Sequence, residues 1–166
     1  VLSKPAVEGD GIMKLNDSEL KEVIDLYEKN SSSKKIVKFV PASGAATRMF
    51  KKLFAFQNEY EETDTSYEKM LEDQSSGSPF EFFKNLENFA FYHDLRQEFK
   101  QSGMALEEAH LKRKFGVILD YFLGEKGLNY GNLPKGLLKF HKYENGARTP
   151  VEEHMVEGSQ YAMGAE

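Results

Sequence analysis

A chain of 166 residues, 40% hydrophobic and 30% charged, carries enough apolar material for one domain with a real core. No run approaches the apolar length a bilayer requires. The opening Val1-Leu2-Ser3-Lys4-Pro5 shows no signal-peptide pattern, and the lack of cysteine excludes disulfides and thiolate chemistry. A net charge of -5 disfavours generic nucleic-acid binding, so the composition fits a cytoplasmic protein that uses neither membrane nor nucleic acid; it says nothing of oligomeric state.

In chain order, Gly9-Asp10-Gly11 is a turn signal. A helix follows, capped by Asn16 with Glu19 completing a capping box, Leu15 and Leu20 forming a staple, and Leu20, Val23, Ile24 and Tyr27 on one apolar face. Ile36 to Val40, β-branched and aromatic, predicts a buried central strand. Helix resumes near Thr47. Glu59 to Ser78 is acidic and lacks a sustained apolar face, which predicts a mobile segment with at most a short helix around Tyr67 to Leu71.

Ser78-Pro79-Phe80-Glu81 is a strong helix start, with Ser78 as cap and Pro79 at the first helical position. Its buried face would be Phe82, Phe83, Leu86, Phe89 and Ala90, and Gly103 ends it. A single helix is expected from about Leu106 to Leu123, with Leu111, Phe115, Ile118, Leu119 and Phe122 inward. Leu137 to Phe140 predicts a second strand, and Thr149-Pro150-Val151-Glu152 a last helix to about Ala162. Two strands do not make an α/β sheet. The order therefore leaves a largely helical domain or one end of an α/β domain whose other strands are absent.

Charge is unevenly placed. Lys34, Lys35, Lys38, Arg48, Lys51 and Lys52 stand in a stretch without acids, whereas residues 59 to 73 hold seven acids against Lys69 alone. Solvated surface is the usual account of such runs. The basic run, however, surrounds Ser43-Gly44-Ala45-Ala46-Thr47-Arg48. Small residues there let backbone N–H groups approach phosphate oxygens, and Arg48 could clamp an oxyanion bidentately. Taken alone, the loop is slightly better explained as a tight strand-to-helix turn with a solvated arginine. It is neither a Walker motif nor a dinucleotide fingerprint. Pro134-Lys135 alone means only a turn.

Other candidates are weaker. His154 on its acidic helix matches no zinc-protease spacing, and His93 and His110 read as surface or satisfied core residues. The phenylalanines from Phe80 to Phe99 read as core rather than a base-stacking platform. His141, near Lys139 and Lys142, is a candidate substrate contact and equally a structural residue.

Together, Ala42-Ser43-Gly44-Ala45-Ala46-Thr47-Arg48, Pro134-Lys135-Gly136-Leu137-Leu138 and Arg148-Thr149-Pro150-Val151 resemble the signature of sugar-phosphate nucleotidyltransferases. The chain is similar, more closely, to an uncharacterised domain-of-unknown-function family of Bacteroidetes-type bacteria, over Phe39 to Phe50, Gly127 to His141 and Arg148 to Tyr161. Ser43 and Ala46 depart from the transferases, which usually have glycine there, and each Cβ would narrow the phosphate space.

The resemblance implies a helix-rich α/β fold: the leading part of a nucleotidyltransferase-like, glycosyltransferase-A type, Rossmann-like sheet. Residues 1–166 would form one domain, the N-terminal piece of a longer protein, with a helical insertion over 57–128. It implies nucleotidyl transfer to a sugar phosphate, or non-catalytic binding of a nucleotide or sugar phosphate on the same fold. Ser43, Gly44, Ala45, Ala46 and Thr47 would cradle the phosphates, with Arg48 and Lys135 catalytic. Magnesium would be the cofactor, its ligands expected outside this chain.

Overall fold

Asn16 opens the first helix as its sequence requires. Its side chain accepts from the Ser18 and Glu19 amides at 3.0 Å, and Glu19 accepts from the Asn16 amide at 2.9 Å. In the computed structural model, which describes residues 3–40, 44 and 46–162, this helix is α1, Asp17–Ser31. The chain divides into two units, Val1–Phe39 with Met155–Glu166, and Val40–His154.

In the first unit, β1 (Val7–Glu8) pairs with β2 (Gly11–Ile12) around a turn in which Gly9 and Gly11 take positive φ. None of its described residues is buried. Leu20, Val23 and Ile24 of α1 stay about half exposed. Lys38 forms an ion pair with Glu157. Residues 36–40 are not the expected buried strand: they join no ladder among the described residues, and Val37 and Phe39 are strongly exposed. β-branched composition supplies propensity, but a strand requires a pairing partner, which is a non-local condition.

The second unit is helical. It contains α2 (Lys51–Glu59), α3 (Asp64–Glu72), α4 (Pro79–Lys84), α5 (Tyr92–Gln101), α6 (Leu106–Leu111) and α7 (Phe115–Leu123). Ser78, fully buried, caps α4 by accepting from the Glu81 amide at 3.2 Å, with Pro79 in the first turn. The expected continuous helix after Pro79 is interrupted by a 3-10 turn at Leu86–Asn88. The expected helix over residues 106–123 breaks at Arg113, which is left-handed at φ 57°, and Leu111 is consequently exposed rather than inward.

Phenylalanines dominate the core of this unit. Phe83 stacks on Phe115 at 4.1 Å, Phe91 meets Phe122 at 4.4 Å, and Leu95, Phe99, Ile118, Leu119 and Phe122 have no exposed surface. Ala46, Phe50, Leu53, Tyr130 and Leu138 enter the same core as residues between 57 and 128. His110 is satisfied by the Phe83 carbonyl at 3.1 Å.

The acidic segment holds more structure than its composition predicts. α3 runs the length of Asp64–Glu72 and buries Met70. The second predicted strand also moves. Lys135–Leu137 is a 3-10 turn, and the strand is β3 (His141–Tyr143), antiparallel to β4 (Gly146–Arg148) around Glu144-Asn145. Leu138, read as strand, is instead a fully buried anchor. Thr149 then caps α8, Pro150–Ala162.

Among the described residues the protein is therefore helix-rich with two small two-stranded sheets. Among the described residues no helix is long and apolar enough to cross a membrane.

Candidate phosphate-loop site

The first motif alternates between core and solvent. Ala46–Arg48 is a single 3-10 turn, with Ala46 wholly buried, Thr47 and Arg48 exposed, and Phe50 buried again against Phe122. The Ala46 carbonyl accepts from the Met49 and Phe50 amides at 2.8 and 3.3 Å, which fixes the turn. Arg48 thus precedes α2 instead of lying in its first turn, and a three-residue turn carries little of the dipole expected to favour an anion. The Ala46 methyl belongs to the core, so it does not narrow the outer face of the loop. Ser43 and Ala45 lie outside the described residues.

The second motif is held from beneath. After α7, the amides of Leu128, Tyr130 and Gly131 donate to the carbonyls of Tyr121, Phe122 and Leu123 at 2.8, 3.1 and 3.0 Å. Only glycine fits at residue 131, where a Cβ would lie 2.7 Å from Phe54 Cζ. The Tyr130 hydroxyl accepts from the Lys139 amide at 3.0 Å, and burial pushes that phenol up, partly offset by the same amide. The 3-10 turn carrying Lys135 is thereby fixed between Gly131 and Leu138.

Both motifs meet through their backbones. The Lys135 N–H donates to the Gly44 carbonyl at 3.4 Å, a long bond between segments far apart in sequence. The third motif is adjacent, since a Cβ on Gly136 would lie 3.3 Å from Val151 Cγ2. Lys135 is half-buried and Arg48 exposed, and among the described residues neither forms an ion pair. The three segments that carry the resemblance therefore adjoin in one unit. The chain belongs to a family described as a domain of unknown function, DUF4301, whose sequence profile matches residues 1–166. No curated protein and no solved structure matches it.

In this DUF4301 chain His141 is exposed and pairs across the hairpin with Arg148. Directly opposite residues share a face. On that face the Arg148 guanidinium lies 4.8 Å from the Tyr143 ring centre and 3.4 Å from Glu153. Lys139 pairs with Asp94 at 2.6 Å.

Sequence reasoning missed a pocket of about 480 Å³ that starts at Met49 and ends at Lys139 and Phe140, the immediate continuations of the two motifs. Its signal was the run of phenylalanines after Ser78, read only as core. Among the described residues no group of three or more His, Asp or Glu is arranged to hold a metal.

Proposed function

We propose that this chain carries the phosphate-binding face of a nucleotidyltransferase-like protein acting on a nucleotide and a sugar phosphate. The observation that supports it is the bond between the Lys135 amide and the Gly44 carbonyl. It joins two motifs whose association only the resemblance suggests.

In that reaction a sugar-phosphate oxygen attacks the nucleotide's α-phosphorus, and the bond to the departing pyrophosphate breaks. Little covalent work falls to the protein, so catalysis is positioning and charge stabilisation. The backbone from residue 43 to 47 would cradle the phosphates. Arg48, without an ion-pair partner among the described residues, would take charge on the leaving pyrophosphate. Lys135, on its fixed turn, would offset charge on the α-phosphate. Bound magnesium supplies charge neutralisation in such chemistry. Among the described residues no group of side chains fits the ion.

The alternative is non-catalytic binding of a nucleotide or sugar phosphate on the same fold. It is favoured by the engagement of Glu152 with Thr149 and of Glu153 with Arg148, which occupies acids adjoining the third motif.

Titrating inorganic pyrophosphate into the chain by phosphorus NMR tests the reading. Weak binding is expected, reduced about tenfold or more in Arg48→Gln and in Lys135→Gln, because each removes a charge-assisted hydrogen bond. No pyrophosphate release from nucleoside triphosphate and hexose 1-phosphate is expected from these 166 residues alone. Binding that neither substitution weakens would refute the site.

A further inference from the structure

We propose that Tyr130 is the positioning residue of the Lys135 turn, holding it with its backbone where the chain enters and with its hydroxyl where the chain leaves; the role toward phosphate rests on the reading above. At the entry, the Tyr130 amide donates to the Phe122 carbonyl at 3.1 Å, between the bonds from Asn129 to Gly124 and from Gly131 to Leu123. At the exit, nine residues on, the Tyr130 hydroxyl accepts from the Lys139 amide at 3.0 Å. Between these points, among the described residues, the hydrogen bonds of residues 132–138 reach only Asn129, one another and Gly44. One side chain therefore closes the loop that carries Lys135.

The local backbone turns this side chain inward. Asn129 is left-handed at φ 57°, and Gly131 admits no Cβ, which would lie 2.7 Å from Phe54 Cζ and 2.8 Å from the Leu123 carbonyl oxygen. Tyr130 is 4% exposed, and its ring lies 5.4 Å from that of Phe91 and 5.2 Å from that of Phe122. Held by two core rings, the phenol is a rigid strut with its oxygen at a fixed distance from α7.

The other exit contacts do not fix direction in this way. Leu138 is fully buried, but apolar packing is not directional. Lys139 reaches Asp94 through a long flexible stem. Lys135 itself bonds outward only by its amide, to Gly44 at a long 3.4 Å. A cation stabilises a phosphate in proportion to how well it is placed, so the residue that fixes the turn sets what Lys135 contributes.

The test reads the turn and the ligand separately on the whole chain. Tyr130→Phe keeps the ring and deletes the oxygen. Amide exchange at Lys135, Leu138 and Lys139 should rise about tenfold, with α7 unchanged. By phosphorus NMR, pyrophosphate should bind about fivefold more weakly. That loss should disappear in the Lys135→Gln background and persist in Arg48→Gln, because Tyr130 acts through Lys135 alone. Tyr121→Phe is the control: its hydroxyl donates to Ser102, away from the turn, and its loss should change neither readout. Exchange at Lys135 unaltered by Tyr130→Phe, or a loss of pyrophosphate binding as large in Lys135→Gln as in the unsubstituted chain, would overturn the proposal. A lowered melting temperature with faster exchange throughout α7 would overturn it too, since Tyr130 would then serve the core and have no particular tie to the turn. Faster exchange confined to the turn, with pyrophosphate binding that ignores Lys135, would support the strut and overturn the phosphate reading alone.

Discussion

Helices α1 and α7 both carry an apolar stripe, and the stripes end in opposite environments. In α7, Ile118, Leu119 and Phe122 have no exposed surface. In α1, Leu20, Val23 and Ile24 are 48%, 51% and 50% exposed. The flanking chemistry differs as well, since Lys21, Glu22, Asp25 and Glu28 interleave the stripe of α1, whereas α7 has Asp120 alone among apolar neighbours. A periodic stripe thus specifies that a face is suited to an interface and is silent on what fills it. The contrast has a large expected effect. Phe122→Ala should destabilise the fold by about 3–5 kcal/mol, whereas Ile24→Ala should stay within about 0.5 kcal/mol. Urea denaturation midpoints of the two variants decide it, and equal losses would show that the α1 stripe is covered in solution.

The acidic run and the basic break of the long helix sharpen the comparison, because here burial succeeds against composition. Arg113 adopts a left-handed backbone at φ 57°, where glycine is the usual choice. Its side chain accounts for the exception: the guanidinium lies 3.8 Å from the Tyr67 ring centre and bonds Asp64 at 2.8 Å, while its carbonyl accepts from the Tyr60 hydroxyl at 2.9 Å. Two of these contacts fasten α3, and the third fastens the end of α2, to the turn between α6 and α7. Asp64 is 92% exposed, so the ion pair contributes little and the stacking on Tyr67 dominates. Arg113→Gly, which keeps the turn and loses the clamp, should raise amide exchange in α3 about tenfold with the global midpoint nearly unchanged. Exchange unaltered in α3 would mean that Met70 and its neighbours hold the segment without Arg113.

What was legible in the sequence was local. The caps at Asn16, Ser78 and Thr149 each satisfy amides within three residues, so the short pattern suffices to locate them. The inward face of Phe82, Phe83, Phe115 and Phe122 likewise follows from helical spacing. Strands failed because pairing is decided elsewhere in the chain: residues 36–40 have the propensity without the ladder, and the hairpin at His141 depends on a two-residue turn before Gly146. The order of the site motifs was readable. Their association was implied by the resemblance alone, and the particular backbone bond from Lys135 to Gly44 was not legible, because it depends on how residues 128–131 fold back on α7. The inward turn of Ala46 and the cavity at Met49 arise from the same packing.

The smallest expected effect separates the two helix starts that frame the third motif and the first unit. Thr149 donates its amide and its hydroxyl to the Glu152 carboxylate at 2.6 and 2.9 Å, and its oxygen accepts from the Glu152 amide at 3.2 Å. The amide bond first, then the hydroxyl, hold the Glu152 carboxyl below the usual glutamate range, with Lys139 and Arg148 adding less and desolvation opposing. A folded value below the unfolded one means that the contribution is complete above the unfolded pKa and is lost as pH falls through the folded one. Protection of the Thr149 amide should accordingly be flat at neutral pH and decline only below the ordinary glutamate value of about 4.3. In Glu152→Gln the cap persists, since glutamine also closes a capping box, and the pH dependence should vanish. The Asn16 box of α1 is the internal control, because Glu19 accepts one bond, from the Asn16 amide, and no hydroxyl. A Thr149 amide whose protection declines already at the ordinary glutamate value would show that Glu152 does not close this box in solution, and the third motif would lose the turn that presents Val151 to Gly136.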